Sequence, residues 1–573
     1  MGTPMVRTMS QYGDAFSRRL FLGASAVAWL PIGALAPGEV AGDPPPGFPA
    51  GIDLYRQAYE NWAGEIRTDE LWTCVPRTAD DVVVLANWAH SQNFTLRPRG
   101  FRHGWAPLTV TPGTTGADRV VLVDTTRHLK AMTVLPGAVR VQTGASMDDL
   151  LAFLEDAGLG VTNTPAPGDL TVGGVLAING HGTSVPAIGE TRAPGHSYGS
   201  LSNMIISLTA VVWDGSQYRL RTFQRSEPEC AALLTHVGRA FLTEVTLRVG
   251  ANQNLRCVSR VDIPTSELFA PPGSGATNTF ASFLDQAGRI EAIWFVFTDH
   301  PWLKVWSVSP TKPLTSRPVT TPYNYVFSDN VPQPVSALAD LLINGSWLLT
   351  PTFGQLQYTT AATGLTATLS TDLWGPSKNL LLYVKPTTLR ETANGYAVLT
   401  SRAEVQRVVS EFATFYEDLL HAYAARGLFP VSGQVEIRVG GLDDPAHVGV
   451  PGAQSPALSA VHPREDHPEW DVAVWFDVLT FPTAPGAAAF YRELEQFFFT
   501  NYSGSYAATR AEWSKGWAYT NEAAWADQTM LTTTVPDTYR QGPNPTWDAA
   551  LATLNTYDPH RVFSNPFLDV LLP

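Results

Sequence analysis

Cysteine and charged residues are both scarce in this 573-residue sequence. The three cysteines, Cys74, Cys230 and Cys257, allow one disulfide at most and have no CxxC spacing, so we expect buried thiols rather than a disulfide scaffold. Charged residues make up 16% of the chain, against about 25% in an average soluble domain, and 44% is apolar, which excludes a disordered or coiled-coil protein. The net charge of −14 argues against nucleic acid as a partner, because phosphate-binding surfaces are basic.

Several common catalytic motifs are also missing. No GxGxxG follows a predicted strand, so a Rossmann dinucleotide site is not expected, and HExxH and Walker A do not occur. His462 and His467 lie in the proline-containing stretch 461–468, where a solvated loop is a better interpretation than a metal site. We therefore expect no metal, and any cofactor must bind through another type of site.

The N-terminus has the pattern of an export signal. Ser17-Arg18-Arg19-Leu20-Phe21-Leu22 precedes an apolar run that ends in Ala34-Leu35-Ala36, a small-x-small cleavage pattern. This is typical of a twin-arginine signal peptide, and the apolar run of about 13 residues is too short for the ~20 that span a bilayer. The signal predicts a secreted, periplasmic or cell-surface protein that is exported already folded.

Composition and patterning divide the chain into five segments and indicate the α+β fold class. We assign residues 1–36 to the signal, 37–51 to a Pro/Gly-rich linker, 52–250 to a first domain, 251–545 to a Trp-rich second domain, and 546–573 to a short tail. A capping-box pattern at Thr78 predicts a helix over 79–92, and Asp214-Gly215 predicts a hairpin with a tight primed turn. Alternation and further caps predict strands at 94–97, 120–124, 139–143 and 241–249 and helices at 146–157 and 403–426.

Two glycine-rich loops stand out in the first domain. The first, RPRGFRHGW at 97–105, directly follows a predicted strand, and the second, PGDLTVGGVLAINGHGT, occupies 167–183. Glycines let successive N–H groups approach a bound anion, so such loops can hold a pyrophosphate without any helix terminus. Either loop alone could be a pair of tight turns, but both in this order and spacing favour a cofactor site.

These loops resemble the flavin-binding segments of the vanillyl-alcohol-oxidase family, which read R-x-x-G-x-x-H-x and T-V-G-G-x-x-x-x-x-G-H-G. The resemblance continues through 198–203, Asp214-Gly215, the strand from Phe241 and Asp558-Pro559. It implies a two-domain flavoprotein in which an FAD-binding domain carries a substrate-binding cap domain of mixed sheet and helices, and the tail returns to the FAD domain. The implied FAD-binding residues are Arg97, Arg99, Gly100, Phe101, Arg102, His103, Gly104, Trp105, Gly168, Asp169, Thr171, Val172, Gly173, Gly174, Asn179, Gly180, His181, Gly182, Thr183, Tyr198, Gly199, Ser200 and Asn203.

His103 matches the histidine that carries the flavin covalently in many family members. No cysteine stands at the place used by doubly linked members, so the resemblance implies one histidyl bond to FAD. An unlinked His103 beside the flavin is the alternative.

The second domain resembles the covalent-flavin, type II cholesterol oxidases through the segments 288–295, 435–439 and 475–480 and, more weakly, Lys515. Strand alternation places Glu291 on one face with Ile293, Phe295 and Phe297. It likewise places Asp477 with Ala473, Trp475 and Leu479. A buried carboxylate must be paired, protonated or functional, so both are candidate catalytic groups.

Glu436 and Arg438 share one strand face and are predicted to form a pair. The alternative interpretation of Glu436 and Arg438 is that they lie on the solvated face of an amphipathic strand. The alternative for Lys515, between Trp513 and Trp517, is simple snorkelling of its side chain past the indoles. Asp477 stands where the relative has an amide, which leaves its role open.

The resemblance implies FAD-dependent oxidation of a 3β-hydroxysteroid by dioxygen, giving hydrogen peroxide, followed by isomerisation of the ring double bond. Glu436 or Glu291 is the candidate base for the hydroxyl proton, Arg438 or Lys515 would stabilise negative charge, and Glu291 is the preferred carboxylate for the double-bond shift. The expected partners are a sterol, dioxygen and a transiently contacted membrane surface, and the oligomeric state stays open. The alternatives are a related oxidase of a polyol, sugar or lactone and an exported lipid-binding protein without catalysis.

Overall fold

A computed structural model describes residues 43–326, 331–544 and 546–573. The predicted signal peptide and the start of the predicted linker lie outside the described residues. Within these ranges the first 250 residues form two mixed or antiparallel sheets with short helices. The strands are β1 (Asp53–Glu60), β2 (Arg67–Val75), β3 (Thr95–Arg99), β4 (Val120–Asp124), β5 (Met132–Leu135), β6 (Ala138–Gln142), β7 (Leu159–Gly160), β8 (Ile205–Trp213), β9 (Tyr218–Gln224), β10 (Phe241–Arg248) and β11 (Gly250–Ala251). The helices are α1 (Ala79–Gln92), α2 (Met147–Asp156), α3 (Val172–Ala177) and α4 (Cys230–Leu234).

The order β1-β2-β4-β3 makes the first sheet and β5-β6-β10-β8-β9 the second, while β7 pairs with β11. In the first sheet β4 runs parallel to both β2 and β3. The first glycine loop therefore leaves the sheet at the carboxyl end of β3, an edge where parallel sheets place their ligands.

A large, almost wholly antiparallel sheet dominates the rest of the described chain. Its strands are β12 (Asn254–Arg260), β13 (Arg289–Phe295), β14 (Trp302–Val308), β15 (Arg317–Pro318), β16 (Asp372–Pro376), β17 (Thr392–Thr400), β18 (Gln434–Gly441), β19 (Val472–Thr480) and β20 (Ala507–Ala511). Their order is β15-β16-β12-β14-β13-β18-β19-β17-β20. The helices are α5 (Thr265–Leu268), α6 (Phe280–Ala287), α7 (Gln333–Ile343), α8 (Thr350–Ala367), α9 (Ser377–Leu381), α10 (Val405–Ala424), α11 (Ala487–Asn501), α12 (Val535–Arg540), α13 (Trp547–Tyr557) and α14 (Pro566–Leu571).

Local sequence signals explain several of these elements. The predicted capping box is confirmed at α1, where the Thr78 hydroxyl accepts from the Asp81 amide and the Asp81 carboxylate accepts from the Thr78 amide, both at 3.1 Å. The predicted strand at 120–124 and the long helix near 403–426 are confirmed as β4 and α10. The three cysteines are buried and free, as expected.

The predicted tight turn at Asp214-Gly215 is wrong. β8 ends at Trp213 and β9 begins at Tyr218, so four residues form the loop. The Asp214 carboxylate accepts the amides of Ser216 and Gln217, both at 2.8 Å, and this side-chain bonding stabilises the longer loop.

The C-terminal tail packs against the second sheet through Asp558. This buried carboxylate accepts from the Tyr218 hydroxyl at 2.6 Å and from Arg239 at 2.9 Å. None of the helices in the described ranges is both long and apolar enough to cross a lipid bilayer.

Candidate active site

A cavity of about 380 Å³ lies between the glycine loops and the large sheet. It brings together most of the residues that the sequence predicts for FAD binding and catalysis. These are Arg97, Arg99, Gly100, Phe101, Arg102, His103, Gly104, Trp105, Thr171, Gly173, Gly174, Gly180, His181, Gly182, Thr183, Glu436, Arg438, Asp477 and Lys515. The other predicted site residues do not line this cavity in the described part of the chain, namely Gly168, Asp169, Val172, Asn179, Tyr198, Gly199, Ser200, Asn203 and Glu291.

The first glycine loop has free backbone donors. Within the described ranges, the amides of residues 101–104 donate no hydrogen bond to the protein, and Arg102 has a φ of 67°. A methyl group on Gly104 would meet no atom within 4 Å, so the backbone borders open space there. Successive free amides of this kind form an anion-binding concavity. The loop is therefore suited to a pyrophosphate.

The amides of the second glycine loop donate hydrogen bonds within the protein, and this loop packs against the first. The Thr171 hydroxyl caps α3 by accepting from the Gly174 amide at 3.2 Å. A Cβ on Gly100 would lie 2.5 Å from that hydroxyl, and a Cβ on Gly173 would lie 2.9 Å from the Thr143 Cβ, so both contacts require glycine.

Three predicted residues that do not reach the cavity, Asn179, Ser200 and Asn203, support the second loop from behind. Asn179, with a φ of 64°, and Ser200 both donate to the Asp443 carboxylate. Asn203 donates to the Asp444 carbonyl at 2.9 Å. Arg97 lines the cavity, but its guanidinium donates to the carbonyls of Thr109, Gly238 and neighbouring backbone. These side chains fix the loop geometry.

His103 lies between two side chains at the cavity wall. Its Nε2 is 2.8 Å from Oδ2 of Asp169, and its ring stacks on Trp62 with the centroids 4.2 Å apart. These contacts fix the imidazole plane and engage Nε2. The other ring nitrogen, Nδ1, is left for a bond or contact at the cavity.

All of the predicted catalytic residues except Lys515 lie on three adjacent strands of the large sheet. Pairing aligns Glu291 of β13 with Arg438 of β18, and Glu436 of β18 with Asp477 of β19. Arg438 donates to Glu291 and to Asp477, both at 2.8 Å, and also pairs with Glu436. The Glu436 and Arg438 side chains are 17% and 14% exposed, so the alternative of a solvated face is wrong.

The prediction that alternate residues from Glu291 onward share one strand face is confirmed except at Phe297. Ile293 and Phe295 belong to one apolar cluster, as expected for one face. β13 ends at Phe295, and Phe297 has a φ of 56° and packs against Phe429 in a different cluster. The turn at the strand end reverses the alternation.

Glu291 lies behind the cavity wall. It is fully buried, and its two oxygens accept from Arg438 and, at 2.6 Å, from the Tyr383 hydroxyl. Lys304 Nζ is 3.7 Å from the same carboxylate. Because Tyr383 and Arg438 line the cavity and Glu291 does not, Glu291 reaches a bound molecule only through them.

Lys515 joins a second set of buried charges. Its Nζ is 3.3 Å from Asp477, 4.0 Å from Glu512 and 4.3 Å from the centre of a Trp105 ring. His181 Nε2 is 3.6 Å from Glu512. Burial, followed by the charge of Glu512, raises the pKa of Asp477, whereas Lys515 lowers the pKa of Glu512 although burial opposes it. The snorkelling alternative for Lys515 is wrong, because its ammonium is held among carboxylates.

Apolar side chains form the remaining wall of the cavity. They are Ile293, Trp302, Trp306, Leu381, Val384, Leu389 and Leu479. The apolar wall and the charged cluster line the same cavity. One end of the cavity is therefore polar, and the other suits a rigid apolar molecule.

FAD fits the residues that are present. The free amides of residues 101–104 supply donors for its pyrophosphate, and His103 offers a nitrogen at the cavity. A metal is a poorer match, because no group of three or more His, Cys, Asp or Glu in the described ranges is arranged to hold one.

Comparisons with known proteins agree with this geometry. A family model described as the substrate-binding region of cholesterol oxidase matches residues 254–573, more than half of the chain, and one described as an FAD-binding domain matches residues 72–221. The chain belongs to the cholesterol oxidase family. This confirms the predicted resemblance and the two-domain α+β flavoprotein fold.

Solved structures of cholesterol oxidases superpose on most of the chain. One described as a solvent-stable cholesterol oxidase is 56% identical, with a TM-score of 0.91 over 93% of this chain and 100% of that one. The cholesterol oxidase from Brevibacterium sterolicum and a histidine-to-alanine variant of it are each 47% identical, with TM-scores of 0.91 over 93% of this chain and 99% of theirs. A search of curated proteins found no match.

Sequence reasoning missed four polar residues at the site of this cholesterol oxidase family member. Lys304 had a signal, because it alternates with Trp302 and Trp306 on a strand. Tyr383 and Glu391 lie outside the helices and strands, so they belong to no periodic pattern. Glu512 follows β20 by one residue. Only folding brings these three to the cavity, where all of them line the wall.

Proposed function

We propose that the protein oxidises a 3β-hydroxysteroid such as cholesterol with dioxygen, releasing hydrogen peroxide, and moves the ring double bond into conjugation. The observation that carries the proposal is the single cavity, in which free loop amides, a buried acid–base cluster and an apolar wall meet. Membership of the cholesterol oxidase family supports the same substrate class.

The chain's residues divide the work at the polar end of the cavity. When bound, FAD would supply the redox chemistry, as acceptor of the carbinol hydride and donor of electrons to dioxygen. Glu436 is the ionised carboxylate at the wall that accepts the hydroxyl proton, since Arg438 and Lys515 lower its pKa although burial opposes this. Arg438 and Lys515 provide the positive charge that opposes negative charge developing there. Glu291 holds Arg438 and Tyr383 in place.

We propose that FAD is attached covalently through Nδ1 of His103. The support is the position of the ring at the cavity and the contact of Nε2 with Asp169, which leaves Nδ1 available. The resemblance of the sequence to the covalent-flavin type supports one histidyl bond.

We further propose export in the folded state by the twin-arginine route. The motif at Arg18-Arg19 and the following apolar run support it, and a tethered cofactor suits a protein that is exported folded.

A transient contact with a membrane surface would give this enzyme access to its substrate. The helical hairpin α7–α8 carries exposed Leu341, Ile343 and Leu348 around its turn. Asp340 is its one charged residue between 333 and 369. Helix α8 packs in the same apolar cluster as Trp302 and Trp306 of the cavity wall. We propose that this hairpin tip rests on the bilayer surface.

The function is tested by peroxide release. Purified protein with cholesterol in detergent should give one peroxide per conjugated ketone, and sorbitol should give none. Activity on sorbitol without activity on sterols would favour the alternative of a polyol oxidase.

A further inference from the structure

Glu391 is a buried carboxyl group at the cavity that, like Asp477 and Glu512, has no role in the mechanism above. Glu391 is 4% exposed, lines the cavity immediately before β17, and was not singled out by the sequence. Its carbonyl accepts from the Trp105 indole at 2.8 Å, which ties its backbone to the first glycine loop.

The surroundings of Glu391 make room for a carboxyl group but provide no cation. A Cβ on Gly433 would lie 2.4 Å from Oε1 of Glu391, so glycine at 433 leaves the space that this oxygen occupies. That oxygen has no hydrogen-bond partner among the described residues. The titratable groups acting around it are Glu436 on β18 and Tyr491 on α11.

Gln434 connects this carboxyl to Glu436. Its side-chain amide donates to Glu436 at 3.2 Å and also contacts Glu391. The carboxyl groups of Glu391 and Glu436 therefore line one cavity, with the Gln434 amide between them. Of these two carboxyl groups, only that of Glu436 has cations beside it.

We propose that Glu391 is a second acid–base residue of the double-bond isomerisation and acts as the proton donor opposite the carboxylate of Glu436. The inference rests on the proposed steroid oxidation, because that reaction supplies the unconjugated ketone.

The proposed step is balanced without any oxidant. Once the hydroxyl proton has left Glu436 with the released hydrogen peroxide, Glu436 removes a proton from C4, between the carbonyl and the double bond, and the C–H electron pair forms a dienolate. The dienolate then takes the proton of the Glu391 carboxylic acid, which forms the C6–H bond and leaves the conjugated ketone. Glu436 ends protonated and Glu391 ionised, and transfer of that proton from Glu436 to Glu391 restores the site.

The environments of the two carboxyls give each its protonation state. Burial, followed by the charge of Glu436, raises the pKa of Glu391 to about 8, so it carries a proton at neutral pH. Glu436 has its pKa lowered by Arg438 and Lys515 and is ionised. Pairs of carboxyls with pKa values pushed apart in this way are typical acid and base partners.

The first test is the variant Glu391→Gln, which keeps the shape of the side chain and cannot donate a carboxyl proton. With cholesterol, peroxide release should stay within about threefold of wild type, while conjugation of the added unconjugated ketone should slow at least tenfold. The wild-type conjugation rate should also fall as pH rises through about 8, and this fall should be smaller in the variant, where Asp477 still titrates in the same range. Equal conjugation rates in both proteins would overturn the proposal.

Glu495→Gln is the matched control. Glu495 is buried, and its pKa is raised to about 7, chiefly by burial, but it binds Tyr396 and the amides of Ala518 and Tyr519 and does not line the cavity within the described ranges. Its variant should leave the ratio of ketone products unchanged. If wild type releases no peroxide from cholesterol, the proposed function fails, and this outcome is distinct from failure of the Glu391 assignment.

The second test needs no variant. Wild-type enzyme equilibrated in D₂O should, in a single turnover of the unconjugated ketone, place deuterium at C6, because the donor proton comes from Glu391. One carboxylate carrying the proton from C4 to C6 would instead retain the original hydrogen. Retention in wild type, measured by mass spectrometry, would contradict the two-carboxyl mechanism.

Discussion

At the scale of residues, the site is a set of buried charges that do not quite cancel. Glu291, Glu436, Asp477 and Glu512 face Lys304, Arg438 and Lys515, four carboxylates against three cations. An unpaired buried charge is costly, so one carboxyl of such a group retains its proton. The raised pKa of Asp477 identifies it as the carboxyl that does so. The remaining groups are held as ion pairs whose geometry is set by the strand register.

His103 provides a prediction at this scale. In His103→Ala the flavin should stay bound to the native protein but separate from it completely on acid precipitation, because the bond to the imidazole is missing. The colour of the pellet measures this. His181→Ala is the control, since His181 also lines the cavity but stacks on Trp475 at 3.6 Å, and its pellet should stay yellow. Flavin that remains attached to the His103 variant would contradict the assignment.

The site residues show which kinds of position a sequence can reveal. Glu291 and Asp477 were found because a carboxylate interrupts an apolar strand face, and Glu436 because it shares a strand face with Arg438. Strand alternation is a local property. Glu391 and Glu512 lie just outside β17 and β20, where no period applies. Phe297 was placed wrongly because alternation was extended past the end of β13. The positions of Glu391, Glu512 and Phe297 all depend on long-range packing, which the local sequence pattern does not contain.

At the scale of elements, the C-terminal tail closes the FAD-binding part of the molecule. Asp558 binds Tyr218 and Arg239 and also accepts the amides of Val562 and Phe563 at 2.9 and 3.0 Å. The Phe563 ring packs against the ring of Phe241 at the start of β10. The end of the chain thus becomes part of the core beside the second sheet.

Removal of this contact should destabilise the protein strongly. Asp558→Ala leaves Arg239, whose side chain is 0% exposed, without its carboxylate partner, and breaking a buried ion pair in this way costs about 3–5 kcal/mol. Urea unfolding followed by tryptophan fluorescence should show the loss. Asp569→Ala removes an ion pair with Arg561 in which the carboxylate is 48% exposed, and it should cost about 1 kcal/mol or less. Equal effects of the two variants would argue against a special role of Asp558.

At the scale of the whole molecule, both halves of the chain build one cavity. The first glycine loop supplies free amides, the large sheet supplies charge and an apolar wall, and the Ser514 carbonyl near β20 accepts the amides of Trp105 and Ala106, both at 3.1 Å. These bonds fix the cofactor loop against the catalytic sheet. The hairpin α7–α8 then presents exposed apolar side chains beside the wall formed by Trp302 and Trp306.

If the hairpin tip rests on a bilayer, its leucines should matter for membrane sterol and not for soluble sterol. The double variant Leu341→Ser, Leu348→Ser removes side chains that are 49% and 73% exposed, so the folded core is little affected. Each exposed leucine that enters the interface contributes roughly 1–2 kcal/mol of burial, so oxidation of cholesterol in phosphatidylcholine vesicles should fall at least tenfold. Peroxide release from detergent-solubilised cholesterol should be unchanged. Val84→Ser, at a side chain 49% exposed on α1, is the control and should leave both rates unchanged. An equal loss with vesicles and detergent would instead place the two leucines in the fold of the hairpin.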